Sequence, residues 1–422
     1  MTKIALATFG SLGDLHPKLA IALELKARGH DVTVAAMHLY REKIEGIGLR
    51  FHPMAPHLEM EDKELAKKLM DLDKGPENMM RLVLMPSLRE MYNDLLPLAE
   101  SADLLITGEV VLVAKSLAEK TGVPWISTSL MPLTMFSSHD PNVYPNAGWY
   151  ESLRFMPAFF HDLLFKFMSG TISGWFEPYR EFRRSLGLDP DHDAMFRGKY
   201  SDLLHLALFS RVLAEPQPDW PTQTKQTGFC FYDGKIEDGS VPEGLNEFLD
   251  SGEPPIVFTL GSAAALDAGT FFHESIGAAK TLGRRALLLY GRDQERPEGL
   301  GDCIAAFEYA PYSLVFPRAA VVVHQGGVGT TGQVLRAGVP HLIMPYSHDQ
   351  PDNAARCRRL GVAEVISRHS YTAESAAQAL SNVLADKDYV EKAARYGEIV
   401  RSEHGTATAC DAIEGVLNKI GR

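Results

Sequence analysis

The chain has 422 residues, 45% of them apolar and 23% charged, with a net charge of −12. That length exceeds one ordinary core and implies two to three domains of common globular composition. The acidic balance argues against a nucleic-acid partner, which demands a basic face. Four scattered cysteines, Cys230, Cys303, Cys357 and Cys410, have neither metal nor redox spacing and read as reduced thiols of an intracellular protein. The opening residues read as a strand rather than a signal peptide. No apolar run approaches the roughly 20 residues of a membrane helix, so a soluble, cytoplasmic protein is expected.

Residues 4–9 form an apolar strand that runs into the loop Gly10-Ser11-Leu12-Gly13-Asp14. A helix follows, with Pro17 in its first turn, Leu19, Ala22 and Leu23 on its apolar face, and Gly29 at its end. A second strand at 31–36 and a helix ending at Gly46 or Gly48 complete a βαβ unit, which calls for a parallel sheet. Strands are expected again at 104–107 and 125–129. From about 130 to 184 the character changes: Phe136, Trp149, Phe155, Phe159 and many other aromatic and methionine residues crowd a proline-interrupted stretch. It reads as a helical subdomain core, an apolar pocket or lid for an aromatic guest, or both. A proline-marked linker covers about 213–255. The βα alternation then restarts, with strands at 256–260, 286–290, 320–324 and 341–344 and helices at 271–282 and 329–337. The expected architecture is α/β, two doubly wound domains facing across a cleft, with ligands at the carboxyl ends of the strands.

The most informative stretch is His324-Gln325-Gly326-Gly327-Val328-Gly329-Thr330-Thr331. Strand, glycine turn and helix start present backbone N–H groups to an anion. Thr330 and Thr331 add hydroxyl donors, and His324 can donate to a phosphate oxygen. No Walker lysine follows, which disfavours ATP-type phosphate transfer. Asp349 and Gln350 come just after the next strand, where a carboxylate and an amide can fork sugar hydroxyls.

Residues 309–353 resemble the donor-binding signature of family 1 glycosyltransferases of the GT-B fold. They resemble the bacterial branch that glycosylates antibiotics, sterols and flavonoids. The resemblance implies an acceptor-binding domain at 1–220 with the aromatic insertion at about 130–184, and a donor-binding domain at 221–390. It also implies C-terminal helices at 391–422 that cross back to the first domain. By position it assigns His324 and the backbone of Gly326, Gly327, Gly329, Thr330 and Thr331 to the diphosphate, and Asp349 and Gln350 to the sugar. Tyr309 falls on the base-stacking aromatic, Ser262 on a phosphate-contacting serine, and Gly13 on the facing loop. Gly332-Gln333 stands where plant members carry a ribose-binding acid, which leaves UDP- and dTDP-sugars both open as co-substrates. No metal or other cofactor is implied.

Inverting transfer needs a base to take the acceptor's proton. The family keeps it in the loop at 10–17, where this chain offers Asp14, with His16 as the alternative. Glu109 stands near the position of the family's partner acid, and with Phe136, Trp149, Phe155 and Phe159 it is expected at the acceptor. The expected reaction moves a hexose, glucose or a deoxysugar such as rhamnose, to a hydroxyl of a small lipophilic acceptor, phenolic, flavonoid or polyketide. A nucleotide-sugar 2-epimerase of the same fold and a non-catalytic helper protein are the alternatives. Closure about the linker and the last helices is expected on donor binding.

Overall fold

The structure, a computed structural model, describes residues 1–58, 63–232, 241–291 and 294–421. Two parallel sheets organise it. The first has seven strands: β1 (Lys3–Ala7), β2 (Asp31–Ala36), β3 (Arg50–Pro53), β4 (Leu104–Thr107), β5 (Trp125–Ser129), β6 (His205–Ala207) and β7 (Thr224–Gln226). The second has six: β8 (Ile256–Thr259), β9 (Ala286–Leu289), β10 (Ile304–Phe307), β11 (Val321–His324), β12 (His341–Ile343) and β13 (Ala363–Val365). The central strands are apolar on both faces: Ile4 to Ala7, Leu104 to Ile106 and Val321 to Val323 are essentially inaccessible. Helices therefore cover each sheet on both sides, as parallel strands require.

The strand orders are β3-β2-β1-β4-β5-β6-β7 and β10-β9-β8-β11-β12-β13. Each sheet starts in its middle, winds outward one way and then reverses. The reversals fall between β1 and β4, paired at Ala7 and Thr107, and between β8 and β11, paired at Ile256 and Val321. At such a switch point neighbouring loops diverge and leave a crevice at the carboxyl ends. The segments that follow β1, β4, β8 and β11 are the ones that carry Asp14, Glu109, Ser262 and the turn after His324.

The first sheet continues past residue 220, since β7 pairs with β6 from Thr224 to Gln226. These short strands lie inside the stretch that proline content marks as a linker. The helix Gly405–Lys419 lies on the helix Leu12–Ala27 of the first domain. Its buried stripe of Ala409, Ile413, Val416 and Leu417 has helical spacing. Cys410 Sγ approaches Ile21 O at 3.8 Å, and Arg28 and His30 pair with Asp411 and Glu414 at its rim. Among the described residues no helix is long and apolar enough to cross a membrane.

The helix Lys387–Ser402 packs closely against the end of the helix Val328–Ala337 at Gly397. A Cβ on Gly397 would stand 2.7 Å from Gly338 Cα and 3.0 Å from Leu335 O. In an open helix interior, Gly→Ala stabilises by up to about 1 kcal/mol. Here the sign reverses, because backbone must move to admit a methyl group. Gly397→Ala is expected to lower stability by about 1–3 kcal/mol, read as a lower urea midpoint; a gain would show that the crossing is loose.

Candidate functional site

Asp14 lies in the first turn of the helix Leu12–Ala27 rather than in a loop, and Pro17 falls inside that helix. Ser11 is the N-cap. Its N–H and Oγ donate to Asp14 Oδ2 at 2.8 and 3.1 Å, while Gly13 N–H donates back to Ser11 Oγ at 3.2 Å. This reciprocal box fixes the carboxylate at the start of the helix. Gly10, at φ +130°, clears its path, since a Cβ there would meet Asp14 Oδ2 at 2.3 Å. Tyr40 OH donates to Gly10 O at 3.0 Å and anchors the turn. Both cap bonds fall on Oδ2, which leaves Oδ1 to take a proton.

In the second domain, β11 ends in His324 and the chain turns through Gly326 at φ +91°. A Cβ on Gly326 would stand 2.9 Å from Ile343 Cγ2 and 3.1 Å from Gln350 O, so only glycine fits. Asp349 Oδ2 accepts from Val328 N at 3.0 Å and from Asn353 Nδ2 at 2.7 Å. The sugar loop and the phosphate turn are thus one unit. Gln350 Oε1 accepts from the N–H groups of Tyr346 and Ser347 at 2.8 and 3.3 Å, which leaves its NH2 end to reach outward.

The two helix starts face each other. A Cβ on Gly329 would lie 3.5 Å from Gly13 Cα. Burial pushes the Asp349 carboxyl up to about 7, and the Asp14 charge across the cleft adds to the rise. Asp14 is pushed up to about 6 by burial and by Glu109, against the opposing effects of Ser11 and Lys18.

Several expected contacts are arranged otherwise. His324 is fully buried. Its Nδ1 accepts from Gly326 N at 3.0 Å, so Nε2 carries the proton and meets His341 Nδ1 at 3.0 Å. With both nitrogens engaged and burial holding the ring down to about 3, His324 braces the turn instead of touching a diphosphate. Thr331 Oγ1 donates to Gly326 O at 3.2 Å, so that hydroxyl is engaged within the turn. The N–H groups of Gly329 and Thr330 have no partner among the described residues and are the anion donors that remain. Tyr309 is exposed just past β10. Ser262 belongs to the short helix Gly261–Ala264, and its side chain lies outside the described residues.

On the acceptor side the aromatic residues separate. Phe136, at φ 46°, packs against Phe165 and Phe196 with ring centroids 5.3 and 5.2 Å apart. Trp149, Phe155 and Phe159 are 59, 81 and 73% exposed, so they line no enclosed pocket with it. Phe136 does border a recess shared with Asn142, Tyr144, Tyr150, His161 and Phe165. His16 turns its ring against Tyr232, centroids 5.1 Å apart, and its Nε2 is buried with no partner among the described residues. Burial and Lys43 push it down to about 3, a weak base at neutral pH.

This geometry agrees with the relatives. Residues 4–136 match the family model of the glycosyltransferase family 28 N-terminal domain, and residues 288–409 that of the erythromycin biosynthesis protein CIII-like C-terminal domain. The chain is 33% identical over 438 residues to O-mycaminosyltylonolide 6-deoxyallosyltransferase of Streptomyces fradiae, covering 98% of this chain and 97% of that one. The chain belongs to the GT-B glycosyltransferases of family 1. It is also 27% identical over 433 residues to a sterol 3-beta-glucosyltransferase of Debaryomyces hansenii, covering 97% of this chain and 26% of that longer protein. The crystal structure of glycosyltransferase VinC in complex with dTDP superposes with a TM-score of 0.70 at 18% identity, over 99% of this chain and all of that one.

Two lysines of this glycosyltransferase escaped the sequence reading. Lys18 follows Asp14 by one helical turn, is fully buried, and donates to Thr128 Oγ1 at 2.5 Å. Lys199 donates to Thr134 O at 2.6 Å and sits 4.5 Å from the Phe136 ring centroid. Burial pushes both ammonium groups down to about 8, while Glu109 opposes that shift. Glu109 Oε2 accepts from Leu130 N and Thr134 Oγ1 at 3.3 and 2.9 Å. The sequence did hold a signal for Lys18: it interrupts the buried stripe of Leu15, Leu19 and Ala22.

A carboxyl whose folded pKa is raised binds its proton more tightly when folded. Its contribution is therefore present at low pH and lost as pH climbs from the unfolded value through the folded one. For Asp349 that window runs from 3.8 to about 7. Asp349→Asn keeps an oxygen acceptor for Val328 and Asn353 but carries no charge. Thermal melts of the two proteins are expected to diverge in favour of the variant as pH rises from about 5 to about 8; a difference independent of pH would contradict the raised pKa.

Proposed function

We propose that the protein is an inverting glycosyltransferase in which Asp14 is the base. It moves a hexose from a dTDP- or UDP-sugar to a hydroxyl of a small lipophilic acceptor. The observation that carries this reading is the meeting of Asp14 and Asp349, each at a helix start, across the crevice between the two switch points. In this reading the acceptor O–H gives its proton to Asp14 Oδ1 while its oxygen bonds to the anomeric carbon. The bond from that carbon to the diphosphate breaks on the opposite face, and the configuration inverts. The departing negative charge meets the N–H groups of Gly329 and Thr330 at the positive end of the helix. Asp349 and Gln350 hold the sugar's hydroxyls.

Asp14 suits the task better than His16. A base works best with a pKa near the operating pH, and the values of about 6 and about 3 separate the two. A deoxysugar carried on dTDP is the donor we favour. It is supported by the 6-deoxyallosyltransferase of Streptomyces fradiae among the relatives and by dTDP in the VinC structure. Lipophilicity of the acceptor is supported by the sterol and tylonolide relatives and by the recess beside Phe136.

Incubating the protein with phenolic, sterol and macrolide acceptors and a panel of dTDP- and UDP-sugars is expected to give products one sugar heavier by mass spectrometry. Asp14→Asn is expected to lower turnover by about 10²–10⁴-fold. A variant with full activity would move the base to His16. The acid limb of kcat/KM is expected near pH 6, rising as Asp14 loses its proton.

Removing Lys18 takes a positive charge from beside Asp14. Lys18→Met is therefore expected to move the acid limb to higher pH, and Glu109→Gln to lower pH. Limbs that shift together in one direction would show that neither charge acts on the base.

A further inference from the structure

The helix Gln350–Leu360 begins at the sugar loop and buries an arginine less than two turns later. Arg356 is 3% exposed, and its guanidinium is occupied on every side. Its Nε donates to Asp352 Oδ2 at 2.7 Å, on its own helix. The other arms cross to the first domain. Nη1 donates to Asp140 Oδ2 at 2.5 Å and to Leu213 O at 3.4 Å, and Nη2 to Asn142 Oδ1 at 2.9 Å. Asp352 returns the contact, its Oδ1 accepting from Val143 N at 2.9 Å. Arg154 Nη2 closes the cluster on Asp140 Oδ1 at 2.6 Å.

A buried ion cluster is weak evidence of stability, because desolvation offsets its attraction. Its geometry, however, is demanding: a planar fork accepts few arrangements. The segment it grips leads to Glu109, the charged neighbour of the base. Asn142 Nδ2 donates to Leu133 O at 2.9 Å, and upstream Leu130 and Thr134 hold Glu109, whose charge acts on Asp14. One strap, residues 130–143, therefore joins the neighbour of the base to the helix that starts with Asp349 and Gln350.

We propose that Arg356 is a positioning residue that couples this strap to the sugar loop, so that order in either segment is transmitted to the other. The proposal rests on the reading of Asp349 and Gln350 as the sugar-binding pair. Nucleotide-sugar binding at the loop then sets the wall of the acceptor recess, which Pro141, Asn142 and Tyr144 line. Coupling of this kind is reciprocal.

Hydrogen exchange of the full chain, followed by mass spectrometry, tests it with dTDP and UDP as separate probes. Asp140→Asn removes a charge from the strap side, and Asn142→Ser is the second variant should the first not fold. Without nucleotide, the strap-side variant is expected to speed exchange about tenfold at 137–144 and also at 350–356, on the other domain. Faster exchange at 137–144 alone would overturn the coupling. With nucleotide, the parent is expected to slow at 346–356 and at 137–144, and the variant at 346–356 only. A merely structural role would raise exchange while leaving the nucleotide-dependent slowing intact, and that result would overturn the proposal. If neither nucleotide slows 326–331 or 346–350, the donor reading fails, while the nucleotide-free comparison still decides the coupling.

Discussion

Two carboxylates that repel each other stand at the centre of this molecule. Asp14 and Asp349 come from different domains, yet each sits at a helix start, and the charge of Asp14 adds to the cost of ionising Asp349. Everything around them manages that repulsion. Ser11 neutralises part of Asp14, Val328 and Asn353 part of Asp349, and the positive ends of two helices point into the same crevice. A sugar bound between them would separate the charges with hydroxyl groups. On the first domain the buried Lys18, one helical turn from Asp14, opposes the rise in its pKa.

The loops that meet there are fixed by covalent necessity as much as by charge. Gly10 admits the Asp14 carboxylate, Gly326 admits Ile343 and Gln350, and Gly13 and Gly329 bring two backbones together. Beneath the turn, His324 accepts from Gly326 N and meets His341, and the hydroxyl of Thr331 pairs with Gly326 O, so these buried groups find partners within the domain. The anion donors of the site are therefore backbone N–H groups, with the two carboxylates set beside them.

The parts of this arrangement legible in the sequence are those with short-range causes. Parallel strands buried on both faces appear as apolar runs, which is why β1, β4, β8 and β11 stand out. A run of glycines after an apolar strand marked the turn at 326–329, where Gly326 takes a positive φ, and Asp349 came just after the next strand. Short polar strands did not announce themselves: β6 and β7 together hold His205, Thr224, Lys225 and Gln226. Ser11-Leu12-Gly13-Asp14 is a capping box written in plain view, yet two glycines made it resemble a loop. The direction in which His324 turns was out of reach. His341 is 17 residues away in sequence and arrives opposite Val322 only through strand register, on the face that His324 shares. Arg356 shows the same limit more strongly, because its partners on the strap lie more than two hundred positions upstream. The aromatic stretch told of apolar surface without saying which of its rings would face inward.

The helix Gly405–Lys419 completes the first domain from the far end of the chain, burying Ile413 and Val416 against the helix that carries Asp14. Gene order and architecture therefore disagree about where the first half ends. A hybrid assembled by exchanging the halves of two such transferases at the linker would inherit its last helix from the wrong parent. To keep the helix that supports the base intact, residues 405–419 have to travel with the acceptor half, as a second and separate graft.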